Sequence, residues 1–262
     1  MSDMTYGDYL RLDRILDAQE PRSGAHDELL FIVIHQASEL WMKLCLHELE
    51  GAREALKADD LDPAFKMMSR VSRVQAQLIQ SWEVLSTMTP ADYSAVRPHL
   101  GTSSGFQSAQ YRLIEYILGN KNPKMTAVHE GRDTDYARLR EAEKLPSLYD
   151  EALRVLDRRG ISIPDSHLER DFTKPYEASD AVEAAWMEVY RNPKDRWDLY
   201  ELAEKLVDLQ YHFQLWRFGH LKTVERVIGY KTGTGGTPGV PYLESVVAKT
   251  FFPELLTLRT KL

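Results

Sequence analysis

Apolar positions along this chain recur mostly three and four residues apart, the spacing of one α-helix face. Thr5-x-x-Asp8 ahead of Tyr9, Leu10, Leu12, Ile15 and Leu16 reads as an N-cap opening a short amphipathic helix. The next segment runs from His26 to Leu56. Its opening, Leu29 to Ile34, is apolar without a break and would suit a buried strand, but no Gly or Pro interrupts it before Gly51. That is too long for a strand, so a helix is expected; being apolar on every side at its start, that end is expected deep in the core. Asp62-Pro63 opens another helix, through Val71, Leu78 and Trp82 to Leu85, and Thr89-Pro90-Ala91-Asp92 caps a short one ending near Pro98. A polar loop, Gly101 to Gly105, precedes an expected helix from Phe106 to Leu118. Weaker patterns predict helices over 135–144, 147–159 and 179–191, and a long helix is expected over 195–228. Lys231 to Gly239, rich in Gly and Thr, cannot be helical, and Tyr242 to Arg259 reads as one or two short helices broken at Pro253. No internal repeat and no linker divides the chain. The prediction is all-α: a single large helical domain over 1–262, built round two long core helices, 26–56 and 195–228.

Composition narrows the chemistry. The 262 residues carry 33 Lys and Arg against 40 Asp and Glu, a net charge of −7, which argues against a nucleic-acid partner. One cysteine, Cys45, forbids an internal disulfide and a Cys-rich metal site. The start, Met1 to Tyr6, lacks a basic stretch followed by an apolar one, and the longest unbroken aliphatic or aromatic run, Leu29 to Ile34, falls far short of the roughly 20 residues of a membrane span. A soluble, cytoplasmic protein with no membrane partner is expected.

Among the eight histidines none has Glu three residues before it, which excludes the Glu-x-x-His pairs of a carboxylate-bridged di-iron bundle, and His-Glu-x-x-His is absent. What remains is a cofactor held by one imidazole; haem suits this, because its porphyrin supplies four ligands and one histidine completes the attachment. Four histidines stand on long apolar helices: His35, His47, His212 and His220. Gly219 beside His220 costs a helix about 1 kcal/mol relative to Ala and would let a flat macrocycle approach the backbone; a core histidine beside a small packing residue explains the pair as well. His35, buried and neutral, would offer one donor and one acceptor to a ligand or to the backbone. The glycine loop lacks the Gly-Lys-Ser/Thr ending of a phosphate loop and follows a helix, so it reads as a connector or as a lid in which Thr234 and backbone N–H groups meet a charged ligand. Arg97, near Tyr93, is either a two-pronged carboxylate clamp or a solvated arginine. Cys45 and His47 fall on different helix faces, which suits a structural thiol.

Thr5-Tyr-Gly-Asp-Tyr-Leu10, Asp27 to Gln36, Ser38-Glu-Leu-Trp-Met-Lys43, Ser103 to Ser108, Leu118 to Asn122, Gln214 to His220, Gly229 to Gly236 and Phe251 to Leu255, taken together and in order, resemble the tryptophan 2,3-dioxygenase family. The resemblance spans almost the whole chain. It implies a helical homotetramer with one haem b per subunit, Fe(II) when active and bound between helices, that adds O₂ across the indole C2–C3 bond of L-tryptophan. Carried over by position, it makes His220 the iron ligand and His35 the distal partner of the indole N–H. Phe31 and Ile32 would pack the indole, Tyr93 and Arg97 would hold the substrate carboxylate, and Thr234 would meet carboxylate and ammonium. Ser104 would lie near both haem and substrate, Trp82 near the haem edge. Tyr6 and Tyr9, in segment 1–20, would close the pocket of a neighbouring subunit. The alternatives are a haem- or indole-binding sensor without turnover, and a helical interaction module without a cofactor.

Overall fold

The computed structural model describes residues 3–236 and 238–262; Met1, Ser2 and Thr237 lie outside the described residues. In chain order the helices are α1 Tyr6–Leu10, α2 Leu12–Ile15, α3 Glu28–Lys57, α4 Leu61–Leu85, α5 Pro90–Val96, α6 Ala109–Ile117, α7 Pro123–Ala127, α8 Asp133–Lys144, α9 Leu148–Arg158, α10 Asp165–Leu168, α11 Asp180–Arg191, α12 Trp197–Val227, α13 Val240–Val247 and α14 Pro253–Thr257. Short 3₁₀ turns cover Arg97–His99, Gly105–Gln107 and Leu258–Lys261, and no strand forms among the described residues. The architecture is all-α.

Side-chain caps set several of the boundaries. Thr5 and Thr89 each form a capping box, with Asp8 and Asp92 respectively, and Pro90 occupies the first turn of α5, where its missing N–H costs nothing. The expected single N-terminal helix is broken in two, because Arg11 takes a left-handed conformation at φ 53°. The helix expected from Phe106 begins instead at Ala109. Ser108 caps it by accepting the Tyr111 N–H at 3.1 Å, so Phe106 falls in the preceding 3₁₀ turn.

The core lies where α3 and α12 pack on α4, with α6, α9, α11 and α14 closing the other sides. Leu49, Leu56, Met68, Val71, Leu206, Leu209 and Trp186 there are wholly buried. The C-terminal half of α3 belongs to this core; its opening turns do not, contrary to expectation. Leu29, Val33, Leu40 and Trp41 are 49%, 43%, 52% and 37% exposed, while Phe31, Ile34, His35, Ser38 and Met42 line an internal cavity. That end is apolar all round because it serves two surfaces, a cavity wall and an uncovered outer face. By length and hydropathy α3 would also pass as a membrane span, but its second half is a core helix of this fold.

One buried polar cluster fixes the cavity's far wall. Glu115 of α6 takes Arg112 on one oxygen and Arg217 of α12 on the other, with Tyr111 (3.1 Å) and Asn120 (3.0 Å) donating to it as well. Arg217 also donates to the carbonyls of Val246 (3.1 Å) and Lys249 (3.2 Å), at the end of α13. Both arginines line the cavity. Removing the shared carboxylate strands two buried cations, so Glu115→Ala is expected to lose about 3–5 kcal/mol in urea unfolding; a loss under about 1 kcal/mol would mean the arginines find other partners.

Candidate active site

A cavity of about 510 Å³ lies between α3, α4 and α12, capped by α13 and the loop that follows α12. That is the size of a small-molecule or cofactor site. Its α3 wall is the stripe Phe31, Ile34, His35, Ser38, Glu39 and Met42, spaced as one helix face. Its α12 wall is Trp216, Arg217, His220, Thr223, Val224 and Val227, spaced the same way. Two histidines thus reach one space from two long helices. Both keep a little surface, and that surface is cavity wall.

The two rings differ in their second contact. The Nδ1 of His35 lies 2.7 Å from the carbonyl of Phe31 one turn back. A carbonyl only accepts, so Nδ1 carries the proton and Nε2 keeps its lone pair. Burial lowers the proton affinity of His35 below the ordinary imidazole value, against a smaller opposing effect of the Phe31 carbonyl, so the ring is a neutral acceptor near pH 7. His220 is pushed down to about 4, first by burial and then by His35. A neutral imidazole with a free lone pair is what an iron ligand requires.

Trp82 stacks on His220 with ring centres 4.7 Å apart and planes 8° from parallel. A Cβ on Gly219 would lie 2.8 Å from Trp82 Cδ1. The room beside Gly219 is therefore filled by an indole, which bears out the packing alternative rather than the approach of a macrocycle. Two buried donors on cavity residues, Trp216 Nε1 and Arg112 Nε, have no protein partner. A flat apolar cofactor with carboxylates at its edge fits such a wall. Among the described residues no three His, Cys, Asp or Glu gather as metal ligands, so a metal here would need most of its ligands from a macrocycle.

At the mouth, α5 directs Tyr93 inward and ends at Arg97, whose guanidinium sits 6.0 Å from the Tyr93 ring. Arg97 lies in an adjoining pocket that shares Gly233 and Thr234 with the cavity. Its Nη2 donates to the carbonyl of Thr232 at 2.6 Å, while its buried Nη1 has no partner. Thr234 Oγ1 donates to the carbonyl of Ser103, and Gly235 leaves no room for a Cβ, which would meet Ser104 Cβ at 2.8 Å. The glycine loop is thus closed over the mouth by two side-chain bonds.

The family model for tryptophan 2,3-dioxygenase matches residues 1–145 and 141–262. The chain is 66% identical over 258 residues to the tryptophan 2,3-dioxygenase of Erythrobacter litoralis, covering 98% of each chain. It is 60% identical over 260 residues to those of a Polaromonas species and of Cupriavidus necator, covering 99% of this chain and 88% of each relative. The chain belongs to the tryptophan 2,3-dioxygenase family.

Of the residues expected in a tryptophan 2,3-dioxygenase site, Phe31, His35, Trp82, Tyr93, Ser104, Thr234 and His220 line the cavity and Arg97 stands at its mouth. Ile32, one step round α3 from Phe31, is not part of the cavity wall. Tyr6 and Tyr9 are 76% and 74% exposed, away from their own chain's cavity. Tyr111, Arg112, Trp216 and Arg217 were missed. For Trp216 and Arg217 the signal was present, because residues four and three before His220 share its helix face. The burial of Arg112 depends on Glu115 and is not visible in the local pattern.

The loop closure is testable without any ligand. Thr234→Val deletes one of its two side-chain bonds, worth about 1 kcal/mol net. Tryptic cleavage at the exposed Lys231 is then expected to speed up about five-fold in the native protein, and an unchanged rate would show that this bond does not hold the loop.

Proposed function

We propose that this chain is a haem-dependent dioxygenase that adds both atoms of O₂ across the indole C2–C3 bond of L-tryptophan, giving N-formyl-L-kynurenine, the first step of tryptophan degradation by the kynurenine pathway. The observation that carries the reading is the pair of neutral imidazoles that two long helices bring to one cavity, His35 anchored through Nδ1 and His220 free to coordinate. His220 would hold the haem b iron, with Trp82 beside it and Ser104, Arg112 and Trp216 toward the edges of the macrocycle. Bound there, the ferrous haem supplies the oxygen chemistry.

The protein's own part is binding, orientation and exclusion of water. Phe31, 4.2 Å from the His35 ring, offers the indole an apolar wall. The free His35 Nε2 accepts the indole N–H, which fixes the ring's direction without taking its proton. At the mouth, the unpartnered Arg97 Nη1 offers a charge-assisted bond to the substrate carboxylate, with Tyr93 under the guanidinium. Thr234 and the loop's backbone N–H groups reach the same end of the substrate and shut out solvent.

The reading includes a homotetramer. The uncovered apolar face of α3, with exposed Tyr6, Tyr9 and Leu16 at the N-terminus, suits a second copy of this chain whose segment 1–20 covers the cavity mouth. The same reading makes the protein cytoplasmic, with no membrane or nucleic-acid partner.

A visible spectrum followed by turnover tests it. The purified protein is expected to show a Soret band. After anaerobic reduction, addition of L-tryptophan and O₂ should produce the absorbance of N-formylkynurenine. His220→Ala should lose the haem; a normal ferrous spectrum in that variant would refute the ligand assignment, and haem without product would favour a sensor.

The pH profile tests His35. Its acceptor lone pair is lost on protonation, and its pKa lies below the ordinary 6.5 because of burial. kcat/KM is therefore expected to stay level near neutrality and to fall only on the acid side of 6.5. His35→Ser should turn over more slowly and lose that acid limb; complete loss of turnover would make His35 an obligatory base instead.

A further inference from the structure

Metal-binding histidines are commonly steered by a hydrogen bond from their second ring nitrogen to a carboxylate or a carbonyl. His35, His167 and His212 each have a ring hydrogen bond to the protein. Among the described residues His220 has none. What faces its ring instead is the Trp82 indole, stacked at 4.7 Å and within 8° of parallel. Trp82 is itself pinned: its Nε1–H donates to the carbonyl of Trp216 at 3.0 Å, and the Trp216 ring packs 5.9 Å away.

That stack depends on a missing atom. Gly219 sits in the middle of α12 with ordinary helical backbone, so its glycine is not needed for any left-handed turn. A Cβ there would approach Trp82 Cδ1 to 2.8 Å and Cγ to 3.4 Å. The first of these is closer than carbon atoms pack, and the indole, held at Nε1 and flanked by Trp216, has little room to yield.

We propose that Gly219 and Trp82 form a positioning pair that sets the plane of the His220 ring toward the haem iron, with aromatic stacking in the role that a hydrogen-bonded carboxylate fills elsewhere. This rests on His220 being the haem ligand. A stacked imidazole gains none of the added basicity that a carboxylate partner confers. Axial-ligand character is one of the protein's controls on haem potential, so the pair tunes the iron as well as aiming the ring.

The test uses the haem-loaded protein and its haem-free form, with Gly219→Ala, Trp82→Phe, Trp82→Leu and the double variant Gly219→Ala/Trp82→Leu. The readouts are the iron–imidazole stretching band of the ferrous protein, its reduction potential, and the melting temperature of the haem-free chain. Gly219→Ala is expected to move the band and the potential and to lower the melting temperature, although alanine is the better helix former. Trp82→Phe, which keeps a ring on His220, should stay near wild type, and Trp82→Leu should shift both signals. Added to Trp82→Leu, the further Gly219→Ala change should leave the band where it is and raise the melting temperature, since the clash has gone. The proposal is overturned if Gly219→Ala leaves band and potential unmoved, or shifts them equally with and without Trp82→Leu. If His220→Ala keeps the band, the ligand assignment fails and takes the proposal with it; a band lost in His220→Ala but indifferent to Gly219 refutes the positioning pair alone.

Discussion

One wall of the cavity is held by a carboxylate shared between two buried cations. Glu115 joins Arg112 on its own helix to Arg217 on α12, and Arg217 reaches on to the end of α13. Protein interiors close-pack wherever they are free to do so. The cavity of about 510 Å³ lies where α3, α4 and α12 pack together, and the cluster borders it through Arg112 and Arg217. A buried ion pair adds little stability compared with a well-packed apolar core. What it contributes here is a fixed separation between α6, α12 and α13.

Within that frame the two histidines are sorted by their neighbours, not by their residue type. His35 donates its Nδ1 proton to the backbone of its own helix and so presents a lone pair to the cavity. His220 makes no such bond, and an aromatic face beside it restricts its ring. One imidazole suits an organic N–H, the other a metal. At the mouth the same division recurs: Arg97 uses one nitrogen to hold the loop and leaves the other without a partner.

Much of this was legible in the residue pattern. Although α4 opens at Leu61, just before Asp62-Pro63, with no side-chain cap, Thr89-Pro90-Ala91-Asp92 announces a helix start through local chemistry that needs no knowledge of the fold. Thr5-x-x-Asp8 did so too, but nothing local announced that Arg11 would turn left-handed and split the helix. Ser108 competed with Phe106 as the start of α6, and the hydroxyl prevailed. The opening of α3 defeated periodicity for a different reason: a run apolar on all sides means two apolar environments, and the second need not lie within the same chain. For Gly219 the pattern left two readings, an approach path for a macrocycle or a small packing residue, and the contact with Trp82 on a distant helix decides for packing. Order along the chain carried the family; contacts between distant helices decided what each small residue is for.

Cys45 has a quieter consequence. It is wholly enclosed, 1% exposed, and burial pushes its thiol up to about 12. The thiolate is the form that oxidants attack. A chain working with O₂ therefore keeps its one sulfhydryl in the state least able to enter the sulfenic-to-sulfonic series. The cavity wall carries two thioether residues, Met42 and Met88, whose first oxidation product is a sulfoxide that dedicated reductases reverse. The residue with the irreversible end of that series is the one kept from the cavity wall.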